Sequence, residues 1–316
     1  MPGLDKLDKA IIIELEGNCR QSYKELATKF NLTANAIKKR VGKLVEEGAI
    51  IDFRIELSLA MLDADFFWID ISTDGSENEV DFGDRIGKHR LVEAVNRLAD
   101  GTYTAWGEYS GATELAAIGR YIRRTKGVTH VKMHPAIGMC PTLSPLSKVN
   151  SKGRKIAFNT TQLQALQCLS KDPRMQIKDL AKCMKSTARR ARTVLTELQN
   201  SEAIYFTLRW DRSAFGDIEL EIRLHFNESK AEPLAVLDWL KERYAFQYWT
   251  SYLFADEPVF HITMVVSDLR EGQQLRRALK QAPFTTNVDV FVSYPFRRFP
   301  GLGLHRITEL IDESGV

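Results

Sequence analysis

The sequence predicts an α+β protein built twice over: three helices ending in a strand, then a sheet that carries helices on one face. Three observations predict it. Shifting the chain on itself by 154 residues aligns nine identities in 31 ungapped positions, among them Arg20 with Arg174, Lys24 with Lys178, Leu26 with Leu180 and Thr33 with Thr187. A period this long marks a module of domain size, since solenoid repeats run about 20 to 50 residues. The first third of each unit has apolar residues at helical spacing, and the remainder alternates in the order strand, helix, strand, strand, helix, strand. The expected domains are 1–57 and 58–138, a linker over 139–157, then 158–210 and 211–316.

In the first unit Leu7, Ile11, Ile12 and Leu15 recur with the period of a helix, and "EGNCRQS" ends it. Ser22 with Glu25 has the form of a capping box for the helix "YKELATKF". Thr33 is the N-cap of "ANAIKKRVGKLVEE", whose stripe is Ile37, Val41, Leu44 and Val45, and Gly48 stops it. A short turn between the second and third helices makes this a helix-turn-helix, and "AIIDFRIELS" reads as the paired strands of a wing. Further on, "DADFFWIDIS", "TYTAWGEYS", "TELAAIG" and "THVKMHP" read as strands, with "FGDRIGKHRLVEAVNRLA" as a helix between them. The second unit answers with "DIELEIRLHF", "PLAVLDWLKERYA", "YWTSYLF", "VFHITMVV", "LREGQQLRRALKQA" and "VDVFVSY", the ferredoxin-like order.

Composition narrows the function. With 44% apolar and 27% charged residues, 316 residues suffice for several packed cores, but a net charge of +3 does not make the whole chain a polycation. Affinity for a polyanion has to come from local clusters. No apolar run approaches the roughly 20 residues needed to span a bilayer, so no membrane partner is expected. The four cysteines lack CxxC spacing, Cys168 and Cys183 fall on helices as small core residues, and a reducing, cytoplasmic setting is expected.

Such a cluster lies on the third helix. Asn35, Lys38 and Gly42 share the side away from Ile37 and Val41, with Lys39, Arg40 and Lys43 flanking them. The second unit places Arg189, Arg190 and Arg192 on the matching helix, and Lys182 and Lys185 just before it. A helix anchored by one face and basic on the other fits the major groove of duplex DNA, where Lys or Asn reaches base edges and neighbouring charges meet phosphates.

The stretch "LDKLDKAIIIELEGNCRQSYKELATKFNLTANAIKKRVGKLVEEGAII" resembles the N-terminal domain of the leucine-responsive regulator/AsnC family, the feast/famine transcription factors. The residues that carry the resemblance are Leu4-Asp5, Asp8, Arg20, Leu26-Ala27, Arg40-Val41, Gly48 and Ile50. It is weaker over 158–210, where Phe158, Lys185 and Glu202 replace Leu4, Asn31 and Gly48. The resemblance implies a DNA-binding transcriptional regulator with ferredoxin-like effector domains, here forming an internal pseudo-dimer and a homo-oligomer. It also implies a small-molecule effector, an amino acid or a relative of one, near a Gly-x-x-Asp turn between two strands. That turn is matched here by Gly111, Ala112, Thr113 and Glu114, with Glu in place of Asp, and in the second unit by Ala255-Asp256-Glu257-Pro258.

Catalytic signatures are absent: there is no GxxxxGK[ST], HExxH or GxSxG, and no GxGxxG opening a helix. No catalytic residue, cofactor or metal is expected. His130 and His134 are spaced too widely to share an ion easily, and the neighbouring sequence offers no carboxylate cluster. The enzyme alternative is a likeness in build to siroheme decarboxylases. Those enzymes resemble one another in a His-Arg stretch after the wing, where this chain has only Arg54 in one unit and Arg209 and Arg212 in the other.

Overall fold

The computed structural model describes residues 5–141, 153–211, 214, 216–245, 247–313 and 315. Leu4, Arg212 and most of the expected linker lie outside them. In chain order, α1 (Lys6–Gly17), α2 (Tyr23–Phe30) and α3 (Ala34–Glu46) lead into β1 (Ile50–Leu57) and a single turn, α4 (Leu59–Leu62). There follow β2 (Asp65–Thr73), α5 (Glu79–Gly87), β3 (Val92–Leu98), β4 (Tyr103–Tyr109), α6 (Gly111–Arg123) and β5 (Val128–Pro141). Next come α7 (Thr160–Leu169), α8 (Ile177–Cys183), α9 (Ala188–Asn200) and β6 (Ile204–Trp210). The remainder is β7 (Ile218–Phe226), α10 (Pro233–Arg243), β8 (Tyr248–Phe254), β9 (Val259–Val266), α11 (Leu269–Lys280), β10 (Thr285–Arg298) and α12 (Gly301–Glu313). These elements form two compact units, each gathered from separate stretches: Met1–Leu62, Ser144–Phe215 and Gly303–Val316 in one, Asp63–Leu143 and Gly216–Leu302 in the other.

The first unit is mostly helical. Five of its helices start where a side chain satisfies the first free backbone N–H groups: Asp5 with Asp8, Ser22 with Glu25, and Asn159 with Gln162 are reciprocal capping boxes, and Thr33 and Thr187 accept from the third residue of α3 and α9. Ile11, Ile12, Leu15, Leu26, Ile37, Val41 and Leu44 are buried, as their periodicity requires, whereas Val45, expected in the same stripe of α3, is exposed. The wing departs from expectation. Residues 50–57 form one uninterrupted strand, with no turn residue to fold it back, and β1 finds its antiparallel partner in β6, with Phe53 opposite Leu208 and Arg54 opposite Thr207. Crossed guanidinium contacts reinforce the ladder. Arg20 donates to the carbonyls of Pro173 and Met175 (2.9 Å to the latter), while Arg174 donates to the carbonyl of Cys19 and lies over the rings of Tyr23 and Phe53.

A second departure concerns sulfur. Cys168 and Cys183 are joined in a disulfide that ties the last turn of α7 to the last turn of α8, rather than packing as separate thiols. Cys19 is a free buried thiol, and burial pushes it up to about 12.

In the second unit the strands close into a barrel in the order β10, β3, β4, β2, β5, β8, β9, β7, all pairs antiparallel. Leu220, Ile222 and Leu224 of β7 face a core completed by Val236 and Leu240 of α10 and Leu275 and Leu279 of α11. The alternate residues of the same strand are polar. Arg223 pairs with Asp70 at 2.8 Å, and Glu221, wholly buried, accepts from Asn96 at 3.4 Å. Two spans differ from the sequence reading. The helix expected over 82–99 breaks at Gly87, with α5 before it and β3 after it, and "TELAAIG" belongs to α6, because Ile118, Gly119 and Ile122 bury one helical face.

Candidate nucleic-acid interface

Helix α3 separates its faces cleanly. Ile37, Val41 and Leu44 are buried while Asn35, Lys38, Lys39 and Lys43 are exposed, and Thr33, itself exposed, spends its hydroxyl on the Ala36 N–H at 3.1 Å. Among the described residues Lys38 and Lys39 make no ion pair, and Lys43 has only a loose contact of 3.8 Å with Glu47. On α9 the pattern recurs. Ala191, Val194, Leu195 and Leu198 are buried, Arg189, Arg190 and Arg192 are exposed, and Lys182 and Lys185 stand exposed in the approach to it.

Arg40 is a correction to the expected set. Its guanidinium bonds Asp8 at 2.7 Å and Asp5 at 2.8 Å, so it fastens α3 to the capped start of α1 and is not available to a phosphate. Those side-chain bonds, to Asp8 and then Asp5, hold the guanidinium above its ordinary value. The residue 154 positions later is Val194, which is buried, so the helix–helix contact there is apolar instead.

The expected effector loop also changes character. Gly111, Ala112, Thr113 and Glu114 do not link two strands; they open α6, with Gly111 in the left-handed region at φ 74°. Glu114 is engaged twice over: its carboxylate accepts from the Ser110 N–H at 2.8 Å and pairs with Arg90. Asp256 and Glu257 do lie in a turn between strands, β8 and β9, and that turn meets β5. There Asp256 reaches His134 at 2.7 Å, Asp70 approaches the other ring nitrogen at 3.4 Å, and Lys132 pairs with Glu257. His134, Asp256 and Glu257 offer donor atoms within 4.8 Å of one another, a grouping the sequence hid because its members lie 122 residues apart. His130 is exposed and takes no part.

Comparison with known proteins bears on this interface. A family model for winged helix-turn-helix DNA-binding domains matches residues 4–51. An uncharacterised HTH-type transcriptional regulator of Pyrococcus horikoshii is 39% identical over 67 residues, 21% of this chain and 40% of that one. The regulatory protein AsnC of Escherichia coli is 39% identical over 62 residues, 20% of this chain and 41% of its own. The chain thus spans about 40% of the length of these curated relatives, and the N-terminal segment is a winged helix-turn-helix DNA-binding domain similar to those of leucine-responsive/AsnC regulators. Over its whole length the fold is similar to that of the siroheme decarboxylase NirDL, with a TM-score of 0.61 at 12% identity, covering 99% of both chains. None of the described helices is long and apolar enough to cross a membrane.

Proposed function

We propose that the protein is a sequence-specific DNA-binding transcriptional regulator in which two winged helix-turn-helix modules and two ferredoxin-like domains, copies of one unit, form an internal pseudo-dimer. The observation that carries the reading is the exposed, unpaired Lys38 and Lys39 on a helix whose opposite face is locked by Ile37, Val41 and Leu44. Asn35 and Lys38 would read base edges; Lys39, Lys43, Lys182, Lys185 and Arg190 would meet phosphates. Because the corresponding helix carries Arg189 and Arg192, the preferred site is asymmetric. The working location is the cytoplasm, higher homo-oligomers are expected, and no catalytic residue is assigned. An amino-acid-like effector would bind between the ferredoxin-like domains, although the engagement of Glu114 argues against the Gly111 to Glu114 segment as its seat.

A salt-titrated gel shift against DNA from the protein's own operon tests this. Lys39→Ala should weaken every sequence alike and reduce the salt slope by about one, while Lys38→Ala should change sequence preference. Arg40→Ala should leave preference intact and instead destabilise the first helical module. Curves unmoved by the Lys38 and Lys39 variants would exclude α3 as the reading head. The full-length likeness to NirDL supports one second reading, a tetrapyrrole enzyme on this scaffold. Absorbance near 400 nm in the purified protein would favour it.

A further inference from the structure

We propose that a cavity between the C-terminal ends of α5 and α6 binds a small, multiply charged anion of the phosphate class. The cavity has a volume of about 560 Å³, within the usual range for small-molecule sites, and Arg85, Arg120, Tyr121, Arg124, Thr125 and Lys126 contribute to its lining. Four of its lining side chains are cationic and none is acidic.

Its floor is held in place. The Tyr121 hydroxyl donates to the carbonyl of Arg85, joining α6 to α5, while Thr125 donates to the carbonyl of Tyr121 at 3.2 Å and the His89 ring packs 4.9 Å from that of Tyr121. The charged groups stay exposed around it. Among the described residues, none of Arg85, Arg120, Arg124 and Lys126 makes an ion pair. Asp74, held low by its hydrogen bonds with Ser76 and then by Lys126, spends its carboxylate on the Ser76 N–H at 3.0 Å.

Helix ends explain only part of this charge. Each C-terminus carries roughly half a negative charge, so α5 and α6 together offset about one of four cations. Arg120 and Arg124, four residues apart on one helical face, repel each other. A di- or trianion entering the cavity would neutralise what remains, and guanidinium forks match phosphate oxygens in pairs. A concave site of this size admits a pyrophosphate or a nucleotide but not a duplex. It lies at the opposite end of α6 from Gly111 to Glu114, so it is a separate place from the expected amino-acid site.

The inference stands independently of DNA binding and is tested by calorimetric titration of the full chain with pyrophosphate and with ATP. The expected result is one saturable site per chain, weakened at least tenfold in Arg120→Ala/Arg124→Ala and weakened by added salt. The melting temperature should stay unchanged; should that double variant fail to fold, Arg85→Ala gives the same comparison. No saturable heat from either probe, or an unchanged Kd in these variants, would overturn the proposal. So would a loss of duplex DNA affinity in the double variant without phosphate-probe binding, since the cations would then belong to a nucleic-acid surface.

Discussion

Lys185 and Glu202 sit in a backbone conformation their side chains disfavour. Asn31 and Gly48 follow α2 and α3 at φ 53° and 77°, the left-handed region that Asn and Gly tolerate, and at the positions 154 residues on stand Lys185 and Glu202 at φ 48° and 57°. The turn conformation is the same at both places, although the residues that ease it stand only at the first. Replacing Glu202 by Gly and Lys185 by Asn should each raise stability by roughly 0.5–1 kcal/mol, read as a higher melting temperature of the helical unit. A drop in melting temperature for Glu202→Gly would refute the account. Burial acts on a different residue, Glu221, whose carboxyl is pushed from 4.5 up to about 8, first by desolvation and then by Glu219 and Asp70. The folded chain therefore keeps this proton where the unfolded chain has released it. Its stabilisation is complete below about pH 4.5, declines as pH rises, and is gone above about pH 8. Glu221→Gln, which cannot ionise, should melt increasingly above wild type between pH 5 and pH 8. Parallel melting curves across that range would show that Glu221 does not titrate there.

At the scale of elements, the disulfide has a counterpart. Cys168 and Cys183 lie 154 residues after Glu14 and Lys29, and these two form an ion pair of 2.7 Å. One module ties its first helix to its second by charge, the other by a covalent bond. The cross-link closes a loop of 15 residues, worth about 3 kcal/mol, whereas a partly exposed ion pair contributes about 1 kcal/mol or less. Cys168→Ser/Cys183→Ser should therefore cost the helical unit about 2–4 kcal/mol, and Cys168→Glu/Cys183→Lys should recover less than half of that. Denaturant unfolding without reductant measures both, and full recovery by the Glu/Lys pair would show that the bond adds nothing beyond contact. The disulfide was not readable in the sequence, and the rest of the fold was readable only in part. Helix caps at Ser22 and Thr33 and the apolar stripe of α3 are local, so sequence periodicity reveals them. The partner of β1, the meeting of Asp256 with His134 and the capture of Arg40 by Asp5 and Asp8 depend on long-range packing, which no local window contains. Gly87 and Gly119 defeat a local reading for a related reason: one ends a helix that apolar spacing would continue, and the other lies inside a helix, where Met133 packs against it.

At the scale of the molecule, neither compact unit is a continuous piece of chain, and both take strands from each half of the sequence. In the β1–β6 ladder, Phe53 faces Leu208 and Arg54 faces Thr207, yet Thr207 and Leu208 are the residues 154 positions after Phe53 and Arg54. The ladder therefore keeps its register when the halves are exchanged. The barrel closes in the same manner, β5 pairing with β8 while β10 pairs with β3, a last strand meeting a second strand at both seams. A fragment of residues 1–141 would keep α1 to α3, β1 and the four strands β2 to β5, but would expose the unpaired edges of β1, β3 and β5. Exposed edges are templates for another strand, and the edges left by this cut are complementary to those of a second copy. The fragment should therefore be a dimer by sedimentation equilibrium. With two identical α3 helices, it should also favour a DNA site with twofold symmetry, in contrast to the asymmetric one proposed for the intact chain. A folded monomer with a native-like melting transition would show that the seams contribute little, and would count against the proposed internal pseudo-dimer.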